Sequence, residues 1–192
     1  AWRDRGTLYW VLNTLDDQYS TPIPGLMNVW CPAPLTPLTK DKTVLKDQIN
    51  ALNATGETFI PSGLIWGWRV LSSQEPFSEA VPYGQQVSGK QVRKIMVLMT
   101  DGANTKSPTY PYNDGGDVTL ANKLTTELCA NVKAKGIEIF TIAFDVSDAG
   151  IKDILRGCAS SADKHFDAAS ESALLTAFQT VAKDMMPLHI AK

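Results

Sequence analysis

The sequence predicts an α/β protein with an open parallel sheet flanked by helices, on three observations. Two apolar runs, Ile95-Met96-Val97-Leu98-Met99 and Ile137 to Phe144, have the length and residue types of strands buried on both faces. Between and after them, apolar residues recur at every third or fourth position, the period of an amphipathic helix. Strand and helix then alternate toward the C-terminus, the order that right-handed crossover connections produce. At 192 residues and 20.9 kDa, with 44% hydrophobic residues, the chain holds material for one core.

Residues 1–38 carry Trp2, Trp10 and Trp30 and five of the eleven prolines, and read as an irregular extension or insertion segment. Within them, Thr7-Leu8-Tyr9-Trp10-Val11-Leu12 is an apolar run too short for its period to separate strand from helical turn. Residues 39–192 hold the α/β domain. It opens on a helix with Thr39 as cap, Asp41 in the first turn and Leu45, Ile49 and Leu52 on one face, ending near Gly56. A second helix follows with Ile60, Leu64, Trp68 and Leu71 on one face and Pro61 in its first turn. Residues 72–90 read as a loop, and the strand from Arg93 to Thr100 ends in Thr-Asp-Gly. Leu120, Leu124, Leu128 and Val132 then define a helix closed by Lys133, Lys135 and Gly136. After strand 137–144, a short helix is expected with Ser147 as cap, Ile151, Ile154 and Leu155 buried, and Gly157 as its stop. A short strand near His165-Phe166-Asp167 leads to a last helix capped by Ser170, with Leu174, Phe178, Val181 and Met185 on its apolar face.

Eighteen Lys and Arg against twenty Asp and Glu leave a net charge of −2, which argues against a nucleic-acid partner. No apolar stretch reaches the roughly 18 residues of a membrane span, although the full protein can carry an anchor elsewhere. The first residues, Ala1-Trp2-Arg3-Asp4, do not read as a signal peptide, and the chain reads as a fragment. Cys31, Cys129 and Cys158 show no metal-ligand spacing. A disulfide between Cys129 and Cys158 in an extracytoplasmic compartment, or three buried thiols in a reducing one, both fit the spacing.

In open α/β sheets ligands collect at the carboxyl ends of the strands, where Asp101 stands. An Asp-Gly at that place is either a turn former or a carboxylate available to a ligand. Thr58, just ahead of a helix, adds a second hard oxygen of the kind Mg²⁺ takes. His165 and His189 stand apart from any Cys or Ser motif and read as structural, and no Gly-x-Ser-x-Gly elbow occurs. Asn53-Ala54-Thr55 has the form of a glycosylation acceptor by coincidence. Trp66 and Trp68, two apart on a helix, cannot both face one core, so one of them is expected at the rim.

Gly56 to Arg69, with Thr58 and Gly63, followed by Ile95-Met-Val-Leu-Met-Thr-Asp101-Gly102-Ala-Asn104, resembles the C-terminal part of a von Willebrand factor A domain. More narrowly, it resembles the TadG-like proteins of bacterial tight-adherence (Flp) pilus assembly. Cys31-Pro32, Pro34-Leu35-Thr36-Pro37-Leu38-Thr39, Gly136 to Phe144 and Leu155-Arg-Gly-Cys158-Ala-Ser-Ser fit the same pattern over roughly residues 30 to 186.

The resemblance implies a Rossmann-like open sheet and a metal-ion-dependent adhesion site. Thr58 would be its second-loop ligand and Asp101 its third-loop ligand, acting through water, with Mg²⁺ or Mn²⁺ as the cation. The family's first motif, Asp-x-Ser-x-Ser, does not occur, so the first central strand is absent from the expected sheet. Three explanations stand: the chain is the downstream part of a longer protein, the 7–12 run completes the sheet, or the domain is metal-free. The first is favoured, with a homo-oligomer or a strand-completing partner as its consequence. Asp145-Val146-Ser147-Asp148-Ala149 mimics the missing motif but lacks its final serine, and helix capping explains it.

The expected function is a non-enzymatic binding or adhesion module for pilus assembly components or a surface ligand, in the periplasm or at the cell surface. The alternative is a Mg²⁺-dependent phosphoryl-transfer hydrolase using Asp101, for which Lys106 and Asp114 are the available helpers.

Overall fold

The computed structural model describes residues 35–52, 57–107 and 115–186. The 7–12 run, Cys31, Asn53, Gly56, Asp114 and His189 lie outside the described residues. The elements are α1 (Lys42–Asn50), α2 (Ile60–Leu71), β1 (Gln86–Val87), β2 (Lys90–Gln91), β3 (Lys94–Thr100), α3 (Val118–Ala134), β4 (Ile137–Phe144), α4 (Ala149–Cys158), β5 (His165–Ala168) and α5 (Glu171–Met185). A 3₁₀ turn at Ala162–Lys164 enters β5.

The three-stranded sheet has the order β3-β4-β5 and is parallel throughout, with Lys94 opposite Ile137 and Thr141 opposite His165. Strand alternation sorts β4 onto two layers. Ile137, Ile139 and Ala143 meet Ile60 and Leu64 of α2, Met96 of β3, Cys129 and Val132 of α3, and Ile151 and Leu155 of α4. Ile142 and Phe144 turn the other way, to Phe166, Ala168 and the Ala173, Leu174 and Ala177 stripe of α5. The fully buried expectation holds for β4. It fails for β3, whose second face is uncovered among the described residues: Val97 is 37% and Met99 44% exposed. Helix α5 packs on β4 and β5 and does not reach that part of the layer.

Ions brace the end of the sheet where the strands begin. The Arg93 guanidinium donates to both carboxylate oxygens of Glu138 at 2.8 and 2.9 Å and to the Asp184 backbone oxygen at 3.0 Å. Lys164 reaches Glu138 at 3.3 Å and Asp184 at 3.0 Å while standing 4.4 Å over the Phe140 ring. Arg93 beside it holds the Glu138 carboxyl below the usual range.

Several local expectations are corrected. Asp41, not Thr39, caps α1, accepting from Thr43 N and Val44 N, while Thr39 Oγ1 accepts from Asp41 N. Its apolar face is uncovered among the described residues, with Ile49 65% and Leu52 64% exposed. The 72–90 stretch contains a hairpin, β1 with β2, turned by Ser88 and Gly89 at φ 52° and 73°. Two positive φ values are what a two-residue hairpin turn with the strands' own twist requires. Helix α3 buries Ala121, Thr125, Cys129 and Val132, one residue round from the leucine face, because small side chains let α2 and α4 approach. Asp148, not Ser147, caps α4, accepting from Ile151 N at 3.0 Å. Gly157 lies inside that helix, which runs to Cys158. On α5, Phe178 and Met185 remain 44% and 47% exposed, and Ala177 and Val181 take the buried places.

Cys129 and Cys158 form a disulfide joining α3 to the last residue of α4. Both are buried, and Lys133 Nζ donates to Gly157 O at 2.7 Å beside it, capping the end of α4 from outside. Lys94 serves α2 likewise: its largely buried ammonium donates to Leu71 O and Val81 O, both at 2.6 Å, and lies 4.8 Å over the Tyr83 ring. As expected, one of the two neighbouring tryptophans is at the rim: Trp66 is 37% exposed under the Arg69 guanidinium, while Trp68 packs on the core.

Candidate functional site at the carboxyl end of strand β3

The parallel sheet brings the loop after β3 beside the chain that enters α2. The turn itself is local: Thr100 Oγ1 donates to Gly102 O at 2.8 Å, which folds the chain back and leaves Asp101 exposed. Beyond it, two segments far apart in sequence are clipped together. Thr105 N and Lys106 N both donate to Thr58 O, at 2.8 and 3.1 Å, and Thr58 N donates to Thr105 Oγ1 at 2.8 Å. Lys106 Nζ stands 4.0 Å from Glu57, a surface pair of little energetic weight.

Asn104 is the pin of this arrangement and only 2% exposed. Its Oδ1 accepts from Ile60 N at 2.8 Å, so it caps α2 from another part of the chain; Phe59, at the helix's own cap position, supplies no side-chain bond. Its Nδ2 donates to Asn122 Oδ1 at 2.9 Å and Thr125 Oγ1 at 3.3 Å on α3. One carboxamide thus ties the β3 loop to two helices. The end of the loop is fastened too: Ser107 N donates to Gly115 O at 2.6 Å, and Asp117 N to Ser107 Oγ at 3.0 Å. Asp117 then caps α3, accepting from Leu120 N.

The structure therefore brings Thr58 and the Asp101 loop to one end of the sheet, on a frame locked by backbone bonds. Thr58 is half-buried and Asp101 exposed. Both offer hard oxygens. Among the described residues no three His, Cys, Asp or Glu side chains converge as a metal site. Asp145, in the sequence that mimics the absent motif, has φ 50° and donates its N–H to Ala168 O, while Asp148 is spent on the α4 cap. His165 is structural: Thr141 Oγ1 donates to Leu155 O, so His165 Nδ1 donates to Thr141 Oγ1 at 2.8 Å. Its Nε2 is buried without a partner among the described residues, and burial holds its pKa below the usual value.

Asn104 and Ser107 are the residues that sequence reasoning missed as parts of this frame. The only local signal was a polar run after a buried strand.

No protein-family model and no curated protein matches the sequence. Solved structures do. The pilus adhesin SpaC from Lactobacillus rhamnosus GG aligns at TM-score 0.56 and 19% identity over 74% of this chain, which spans only about a fifth (20%) of SpaC. The vWF domain of the type V pili tip protein Mfa5 from Porphyromonas gingivalis aligns at TM-score 0.57 and 14% identity, covering 82% of this chain and 78% of that one. With its parallel sheet, layered helices and carboxyl-end loops, the chain has an α/β fold of the von Willebrand factor A type.

Proposed function

We propose that the chain is a non-enzymatic protein-binding module of a bacterial pilus assembly or anchoring protein, of the TadG-like tight-adherence (Flp) kind, acting outside the cytoplasm. The observation that carries this reading is the rigid frame at the carboxyl end of β3, which presents Asp101 and Thr58 on a fold shared with two pilus proteins. A binding surface gains affinity when its loops are ordered beforehand, and the Thr58–Thr105 clip and Asn104 provide that order. The buried Cys129–Cys158 disulfide supports an oxidising compartment.

Asp101 and Thr58 fit Mg²⁺ or Mn²⁺ as two of the oxygen donors such a cation takes. The cation would supply charge for a partner carboxylate. Asp101 would hold it through water, Thr58 would offer its hydroxyl, and the partner would complete the shell.

The test is twofold. Calorimetric titration with Mg²⁺ and Mn²⁺ should give saturable binding that Asp101→Ala and Thr58→Ala remove. In bacteria carrying the same substitutions in the full protein, pilus display and surface adherence should fall. Adherence unchanged in both variants overturns the site. Turnover of a phosphate ester abolished by Asp101→Ala overturns the non-enzymatic reading.

A further inference from the structure

His165 opens β5, and its ring is committed in one direction only. Phe166 and Ala168 turn toward α5, so by alternation His165 and Asp167 face the α4 layer. There His165 Nδ1 donates at 2.8 Å to Thr141 Oγ1, whose own proton goes to Leu155 O at 3.0 Å. Thr141 is wholly buried, so its hydroxyl has no water to turn to. With a proton on Nδ1, Nε2 carries only a lone pair, buried and without a partner among the described residues. The neutral ring suits this seat. A second proton would make Nε2 a donor with nothing to receive it, and an orphaned buried donor disfavours a state by roughly five- to 150-fold.

The surrounding charges act in the same direction. Arg156 and Lys152 of α4 oppose a cation at His165, and Asp167 of β5 favours one. That carboxylate is already held by Lys152 at 2.8 Å, and Arg156 is paired with Asp153. From β4 the residue opposite His165 is the uncharged Thr141. The 3₁₀ turn carries Asp163 and Lys164, and Lys164 reaches across the Phe140 ring to Glu138 and to Asp184 of α5. Lys164, next to His165 in the chain, therefore ties the start of β5 to the last turn of α5, at 3.0 Å from Asp184. Beyond Val181 that helix buries nothing among the described residues, and Met185 and Met186 are exposed. Its end is held by Lys164 and Arg93.

We propose that His165 is a proton-operated latch: when protonated, its ring leaves the seat between Thr141 and α4, the start of β5 opens, and Lys164 releases the last turn of α5. The latch is closed near neutral pH and opens as pH falls from about 7 to about 5, the range in which a histidine accepts its proton.

The experiment is amide exchange of the full 192-residue chain at about pH 7 and about pH 5, read as protection relative to unstructured peptide at each pH. Protection at residues 164–168 and 183–186 should fall at least about fivefold at the lower pH, while Val132 and Ile139 in the core keep theirs. His165→Gln should abolish the fall. Arg156→Gln, at an exposed position, should leave protection near pH 7 unchanged and reduce the fall, because it removes one of the opposing charges. Protection indifferent to pH in the unaltered chain overturns the proposal. An equal fall in His165→Gln overturns it by assigning the effect to another group, and a uniform fall through α3 and β4 does so by making it global. Opening of β5 with the end of α5 unmoved removes the latch. Should His165→Gln fail to fold, Arg156→Gln decides: an undiminished fall overturns the assignment.

Discussion

Replacing Asn104 by alanine tests whether one buried carboxamide holds the candidate site together. The substitution strands the Ile60 N–H at the start of α2, a lost cap of about 1 kcal/mol, because Phe59 provides no substitute. It also strips Asn122 and the wholly buried Thr125 of a donor. Thr125 keeps its own bond to Ala121 O, so this adds about 1 to 2 kcal/mol rather than the full penalty for an orphaned group. The expected loss is about 2 to 3 kcal/mol in urea unfolding, or a melting temperature lower by roughly 4 to 12 °C at this chain length. Asn104→Asp separates the roles: it keeps the acceptor for Ile60 and removes both donors. Amide exchange at Ile60 should therefore stay slow in the aspartate variant and quicken in the alanine variant. A loss below about 1 kcal/mol in the alanine variant, or equal Ile60 exchange in the two, would refute the reasoning.

Two other expectations rest on separate parts of the molecule. Converting Cys129 and Cys158 together to alanine releases a loop of 29-residue separation and should cost about 3.5 kcal/mol, seen by calorimetry as a melting temperature lower by roughly 7 to 14 °C. A fall of under about 3 °C would mean that the α3–α4 contact stands without the bridge. His165 predicts a pH dependence. Its folded pKa is depressed by burial and by Arg156 and Lys152, against the opposing pull of Asp167. The unfolded chain therefore binds the proton more readily, and the histidine's contribution is complete above its unfolded pKa and lost as pH falls through that value toward the folded one. Stability should drop between pH 7 and 5, and His165→Gln should flatten that slope. An unchanged slope in the variant would assign it to another group.

The elements that could be read from sequence are those whose signals are local. Strand β4 is apolar on both faces because helices cover both, and Gly136, at φ 74°, ends α3 as its position promised. Thr58 and Asp101 were legible as candidates because a strand end and a helix start are recognisable turns. What holds them was not, since the partners of Asn104 lie 44, 18 and 21 residues away. Side-chain size misled on α3, where leucines at 120, 124 and 128 outline a stripe but Ala121 and Thr125 permit the closer approach. Burial of β3 was overestimated because five apolar residues in a row do not reveal how many layers cover them. Asp41 and Asp148 took the caps expected of Thr39 and Ser147, since several oxygens near a helix start compete and geometry decides.

The bridge between Ser107 and Gly115 bears on how such a surface can diversify. With Ser107 N bonded to Gly115 O and Asp117 N to Ser107 Oγ, the two ends of the 108–114 segment are held side by side, as a fixed doorway. The segment spanning that doorway can change length or composition at little expense to the rest, since doubling a loop adds only about 0.6 kcal/mol of closure entropy. Substitutions between those two ends should leave Asn104, the α2 start and the sheet in their registers. Chains that share this doorway but differ inside it should therefore melt alike.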